Sequence, residues 1–190
     1  IGWAMTWAIV GAVIGVLGLV SLYLSMTAGR LDRLHLRIAA AERSLDAHLL
    51  RRSSVAAEIS AAGVLDPATS VLIAEAAHEA RMSQDASPLD RSRAESDLTA
   101  ALCAALDDDE VSEALSDEVG RTLVIELLAS WTRLELARRF HNDAVRACRQ
   151  VRRQRLVRLF RLAGHTPLPA TWEMDDAVPR ALVDGVSAAD

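Results

Sequence analysis

The chain has 190 residues, of which 51% are hydrophobic and 25% charged, a balance that excludes a disordered or collagen-like protein. Its twenty-one basic residues are all arginine and face twenty-six acidic ones, for a formal net charge of -5. Two well-separated cysteines, Cys103 and Cys148, exclude a disulfide framework and a four-cysteine zinc module, while the 4% aromatic content favours helix over sheet.

The first predicted element is a membrane span. Residues 3–26 read WAMTWAIVGAVIGVLGLVSLYLSM without a single charge. At 1.5 Å per residue, about 24 residues reach roughly 36 Å, enough to cross a hydrocarbon core of about 30 Å with some tilt. Trp3 and Trp7 at one end and Tyr23 at the other occupy the positions where amphipathic rings meet the headgroups. The run is longer than the apolar region of a signal peptide and continues into helical sequence without a break. Gly11, Gly15 and Gly18 give it a small-residue face for close helix contact. Arg30, Arg33, Arg37, Arg43, Arg51 and Arg52 follow the span and none precedes it, so the positive-inside rule puts the N-terminus outside and the rest in the cytoplasm.

Beyond the span the apolar spacing is helical throughout. Leu31, Leu34, Ile38, Leu45, Leu49 and Ile59 continue the first helix to about Ala62, and Gly63 breaks it. Asp66-Pro67 starts a second helix running to about Gln84, with Asp as N-cap and Pro at the first helical position. Ser87-Pro88 starts a third that ends before the acidic run 107–110. A short piece around Val111 leads into the longest helix, residues 116–162, which carries Val124, Leu127, Trp131, Leu134, Ala137, His141, Val145, Cys148 and Val151 on one face and closes at Gly164. Residues 165–190 hold Pro167, Pro169 and Pro179 and are expected to be irregular.

The fold class is therefore all-α: one N-terminal transmembrane helix continuing into an antiparallel four-helix bundle. The expected organisation is an anchor over 1–26, a cytoplasmic helical bundle over 27–164 and an irregular tail over 165–190. In an up-down bundle the fourth helix returns to the membrane. Its last turns, QRLVRLFRL over residues 154–162, are basic and apolar together, and no acid occurs from Ala144 through Thr171. Arg155, Arg158, Phe160 and Arg161 are the expected contacts to lipid or partner at that surface.

No catalytic constellation emerges. His78-Glu79 opens like a zincin helix, but Met82 stands where the second His is needed. Gly120, Glu126 and Glu135 match parts of a Nudix-type box, yet Leu134 replaces its Arg, and Arg138 and Arg139 stand where metal-binding carboxylates belong. Glu75 and His78 form one Glu-x-x-His pair where a diiron bundle requires two, so Glu79, Glu126, Glu135 and Asp143 read as solvated faces. His141 and Cys148 read as core residues. No catalytic residue, metal ligand or cofactor is assigned, and a net negative chain with few stacking aromatics argues against nucleic acid.

Three stretches are similar to motifs of a known family. Residues 41–52, AERSLDAHLLRR, end in the pair Arg51 and Arg52; His78-Glu79-Ala80-Arg81 forms a second; and 136–145, LARRFHNDAV, aligns Ala137, Arg138, His141, Asn142 and Val145 with a third. With the anchor and the helix order, this pattern resembles the bacterial LemA family. His141 replaces a Tyr usual there, an Ile-Pro-Asn-Leu stretch after the paired Arg is absent, and a later Asn-x-x-Ile-x-x-Phe-Pro run is Arg-rich here. The resemblance implies a non-enzymatic, single-pass scaffold or accessory protein of the bacterial inner membrane. Such a protein would contact membrane lipids and dock other membrane proteins at the cytoplasmic surface, or serve as a small subunit of a larger membrane complex. The alternative is a hydrolase or metal-dependent enzyme with a site inside the bundle around Glu75, His78, Glu135 and His141.

Overall fold

Local chemistry sets the helix boundaries. The structure, a computed structural model, describes residues 2–162, 164 and 166–189; Ile1 of the expected anchor and His165 and Asp190 of the expected tail lie outside the described residues. The first helix, α1, runs Gly2–Ala61 without interruption, and Gly63 follows it at φ +70, a left-handed conformation that favours glycine. The Asp66 carboxylate accepts from the backbone N–H groups of Ala68 and Thr69 to start α2, Pro67–Met82. A single 3₁₀ turn, Ser83–Asp85, follows. Ser87 caps α3, Pro88–Ala105, and Asp107 caps α4, Asp108–Ser116, each accepting from a backbone N–H three residues on. The longest element after α1 is α5, Glu118–Arg152; two shorter helices, α6 (Arg155–Leu159) and α7 (Arg180–Ala189), complete the chain. No β-strand occurs among the described residues, so the protein is all-α.

The chain divides into two compact units, and α1 and α5 contribute to both. In the larger, residues 41–142 with 171–190, one core gathers Val55 and Ile59 of α1, Ile73 and Ala77 of α2, Leu98 and Leu102 of α3, Val111 and Ala114 of α4, Val124, Leu127 and Trp131 of α5, and Leu182 of α7. An adjoining cluster joins Leu45 and Leu49 to Leu134 and Ala137, with Trp172 and Met174 packed against it. Contacts that climb α1 descend α5: Leu45 and Leu49 cluster with Leu134 and Ala137, Arg51 pairs with Glu126, and Val55 and Ile59 share a core with Val124. The two helices are thus antiparallel. In the smaller unit, residues 1–40 with 143–170, Leu31 and Ile38 cluster with Ala144, Val145, Cys148, Val151 and Val157. The heptad-like stripe read from the sequence is the buried one in both units.

Two expectations require correction. The last long helix ends at Arg152 instead of continuing to Leu162: Gln154 turns extended, at ψ 136, and the five-residue α6 follows. The break lets Val157 bury beside Val151 and Leu31, so tertiary burial overrides a locally helical sequence. Gly164 does adopt a left-handed φ of +57, but after α6 and not as the cap of the long helix. The tail is also not irregular to its end. Residues 166–179 lack regular structure, but α7 follows Pro179 directly and packs on α4 with Ala181 and Leu182 buried. Three prolines had marked the tail as loop, whereas Pro179 stands where a proline commonly precedes a helix.

Two helix-interior glycines make close contacts. A Cβ on Gly120 would lie 2.2 Å from the Ala114 carbonyl oxygen, so only glycine lets α5 begin so close to α4. One on Gly185 would meet Val111 Cγ1 at 2.8 Å. Exposed glycine-to-alanine changes inside helices stabilise by about 1 kcal/mol. Gly120→Ala should reverse that sign and cost about 3 kcal/mol, the upper end of the overpacking range, whereas Gly185→Ala, which meets side chains that can shift, should cost less. Leu134→Ala, at a fully buried position, should cost roughly 2–5 kcal/mol. Urea unfolding followed by helical circular dichroism checks all three.

Candidate functional site

The larger unit encloses a charge. Arg52 of α1 is fully buried, and its Nη2 donates to the Glu95 side chain at 2.8 Å and to the Glu95 carbonyl at 2.9 Å. Its Nη1 donates to Thr99 Oγ1 at 2.9 Å, and the guanidinium carbon lies 5.2 Å from the centre of the Trp131 ring. Burial pushes the Glu95 carboxyl above the ordinary carboxylate range, and the opposing charge of Arg52 holds against it. Because a guanidinium keeps its proton at any pH a protein meets, the pair is an ion pair in a dry core.

Residues 171–177 close over this centre as an extended strap. Thr99 Oγ1 donates to the Asp175 carbonyl at 2.9 Å, and the Trp131 indole N–H donates to the Asp176 carbonyl at 3.0 Å. Arg138 forms an ion pair with Asp176, Nη2 to Oδ2 at 2.7 Å. Asn142 pairs with the Trp172 backbone through both ends of its amide, donating to the carbonyl at 3.0 Å and accepting from the N–H at 2.8 Å. Arg91 lies 5.3 Å from the Trp172 ring centre and reaches Asp46 Oδ1 at 2.7 Å. The residues of the family-like motifs therefore divide. Arg52, Arg138 and Asn142 build the ion pair and the strap; Arg51 makes an exposed ion pair with Glu126; His141 and Val145 are buried.

The smaller unit is the basic one. It holds ten arginines against two aspartates, Asp32 and Asp143, a net of +8, whereas the larger unit holds eleven arginines against twenty-four acids, a net of -13. One stretch of α1 is long and apolar enough to cross a membrane, and none of its most apolar 18-residue window is buried in the protein. Trp3 and Trp7 are exposed at its start. At its end, Tyr23 donates to Gln154 Oε1 at 3.2 Å, which brings the turn before α6 beside the last apolar residues of the span. Of the four expected contact residues, Arg155, Phe160 and Arg161 are exposed, and Arg158 lines a cavity. That cavity, of about 420 Å³, is lined by Arg149, Arg152, Arg153, Arg158 and Leu168. The basic run made it legible as a cationic region, but which arginines share a concavity depends on the break before α6 and on residues 166–169.

Residues weighed for metal or hydrolytic chemistry lie apart. Glu75, His78 and Glu79 are exposed on α2, Glu126 pairs with Arg51, Glu135 with Arg139, and Asp143 with Arg146. Among the described residues no three of His, Cys, Asp and Glu come together as ligands for a metal ion. Burial pushes both thiols up: Cys148, inside the smaller core, and Cys103, whose Sγ contacts the Ala177 carbonyl at 3.4 Å. Comparison of the chain with protein-family models, with curated proteins and with solved structures finds no match.

The buried pair has a measurable signature. Breaking it from one side leaves an uncompensated charge, so Glu95→Leu or Arg52→Met alone should each cost about 3–5 kcal/mol. The double variant should cost less than either single change, since the remaining partner no longer needs solvation. A double-mutant cycle by urea unfolding reads the difference. Asn142→Ala should instead leave global stability close to the parent and speed proteolysis within 171–177, because it unpins the strap at one point.

Proposed function

We propose that the chain is a non-enzymatic, single-pass membrane protein of the LemA type that holds a helical domain at the cytoplasmic face of a bacterial inner membrane and docks membrane-protein partners there, as a scaffold or as a small subunit of a larger complex. The observation that carries this reading is the apolar stretch of α1, none of whose most apolar window is buried, within a unit whose net charge is +8. An apolar helix with no protein face to cover it needs hydrocarbon around it, and arginines just past its end favour the cytoplasmic side. The Tyr23–Gln154 bond supports the same reading, because it sets a second basic segment at the level where the span leaves the bilayer. The non-enzymatic part is supported by Glu126 and Glu135 of α5, each of which pairs with an arginine.

Insertion is the test. Val13 is at the middle of the span and exposed, so Val13→Arg puts a guanidinium at the bilayer centre, at a cost of roughly 2.5–3.5 kcal/mol on insertion scales. The parent should stay in the membrane fraction after carbonate washing, and the variant should not. Protease added to intact spheroplasts should leave the part after residue 30 uncut. Cleavage of that part before lysis would reverse the orientation.

A further inference from the structure

We propose that the cavity lined by Arg149, Arg152, Arg153, Arg158 and Leu168 is a binding site for a phosphate group carrying two negative charges, offered by a phospholipid headgroup or by a free phosphate ester. The lipid source rests on the membrane-anchored reading above; the phosphate site itself does not.

Four of the five lining residues are arginines, and the chain fixes two of them without neutralising them. Arg149 Nε donates to the Pro169 carbonyl at 2.8 Å, and Arg152 donates through Nη1 to the Pro167 carbonyl at 2.8 Å and through Nη2 to the Thr166 carbonyl at 2.6 Å. A carbonyl oxygen orients a guanidinium but leaves its full charge in place. Arg153 and Arg158 form no ion pair among the described residues. The unit's two acids do not line the cavity, and one of them, Asp143, pairs with Arg146 at 2.5 Å. Residues 166–169 thus bend back to hold like charges together in a concavity, an arrangement that mutual repulsion opposes unless an anion shares it.

The geometry of the group selects the anion. A guanidinium presents parallel N–H donors that match two oxygens of a phosphate, and several around one pocket suit a group with more than one charge. A phosphomonoester carries close to two charges at neutral pH, since its second pKa is about 6. A single carboxylate has too few oxygens and too little charge for four arginines. Leu168, exposed at the rim, offers an apolar contact for whatever carries the phosphate. The turn at Gln154, next to Arg153 in sequence and bonded to Tyr23, sets the site at the end of the apolar span, where a headgroup phosphate would meet it.

The test uses the full chain in neutral detergent micelles, titrated calorimetrically with short-chain phosphatidate, short-chain phosphatidylglycerol, phosphatidylcholine and inorganic phosphate. Phosphatidate should bind at one per chain, at least tenfold tighter than singly charged phosphatidylglycerol, and inorganic phosphate should compete with it; phosphatidylcholine should not bind. Arg153→Gln with Arg158→Gln should weaken phosphatidate at least tenfold. Arg30→Gln with Arg37→Gln removes the same charge from exposed positions of the same unit outside the cavity and should change it less than threefold. Both replaced pairs are exposed, so unchanged melting curves are expected and confirm that loss of binding is not loss of fold. Equal weakening by the two pairs, or no phosphate binding by the parent, overturns the site. Inorganic phosphate binding as tightly as phosphatidate, with the same dependence on Arg153 and Arg158, keeps the site and assigns it to a free phosphate ester. Failure of the anchor would appear separately, in the carbonate wash of Val13→Arg, and would leave these affinities intact.

Discussion

A guanidinium removed from water must find its hydrogen bonds and its counter-charge within the protein, or the structure that buries it will not persist. Arg52 meets that demand at both Nη atoms, though its buried Nε has no partner among the described residues, by drawing several parts of the chain to one point. Its carboxylate and its hydroxyl partner come from α3, one turn apart at Glu95 and Thr99, and its aromatic face comes from α5 at Trp131. The last two then reach outward: the Thr99 hydroxyl and the Trp131 indole N–H both donate to carbonyls of the strap, at Asp175 and Asp176. An apolar residue of similar volume at position 52 would fill the space without asking for any of this. What the ion pair adds is a restriction on arrangement, since any slip of α3 along α1 separates Glu95 from the charge it must balance.

The strap extends that restriction to a segment with no regular structure of its own. Extended backbone cannot satisfy its own N–H and C=O groups, so its place depends on side chains that supply the missing partners. Asn142 does so most completely, because an amide carries both a donor and an acceptor in the spacing of a peptide group. Arg149 and Arg152 do the same for carbonyls of residues 166–169 within the smaller unit. In both units an irregular segment is anchored to α5 by side chain to backbone bonds and not by apolar packing alone.

These bonds explain what the sequence disclosed and what it did not. The helix starts at Asp66-Pro67 and Ser87-Pro88, the stop at Gly63 and the buried stripe from Leu31 to Leu49 rest on short-range chemistry, and each was legible from neighbouring residues. The apolar span was legible for the same reason. The break at Gln154 was not, because nothing in QRLVRLFRL opposes a helix; burial of Val157 against α1 decides it, and that partner is more than a hundred residues away. The end of the tail was missed because α7 stands on a face supplied by α4, where Val111 meets Gly185, a contact with no trace in local periodicity. The arginine run announced a cationic surface, but of Arg155, Arg158 and Arg161, three apart on a presumed helix, the arginine-lined cavity takes Arg158. Arg149, Arg152 and Arg153 join Arg158 only because the helix ends between them.

The positions that resemble family motifs then take on a specific meaning. Arg52, Arg138 and Asn142 are polar residues inside or against a core, a pattern that in isolation suggests a binding site or a catalytic one. In this chain each is engaged by Glu95, by Asp176 or by the Trp172 backbone, with no hydrogen-bonding capacity directed at an open cavity. Together they hold one arrangement in place: two long antiparallel helices, a buried ion pair and a strap. In the basic unit the exposed Arg153 and Arg158 are left uncommitted by that arrangement, since neither forms an ion pair among the described residues. Arg138 and Asn142, committed to the strap, and Arg149, Arg152, Arg153 and Arg158, which line the cationic cavity, thus lie on successive stretches of the same helix and of the turn and short helix that follow it.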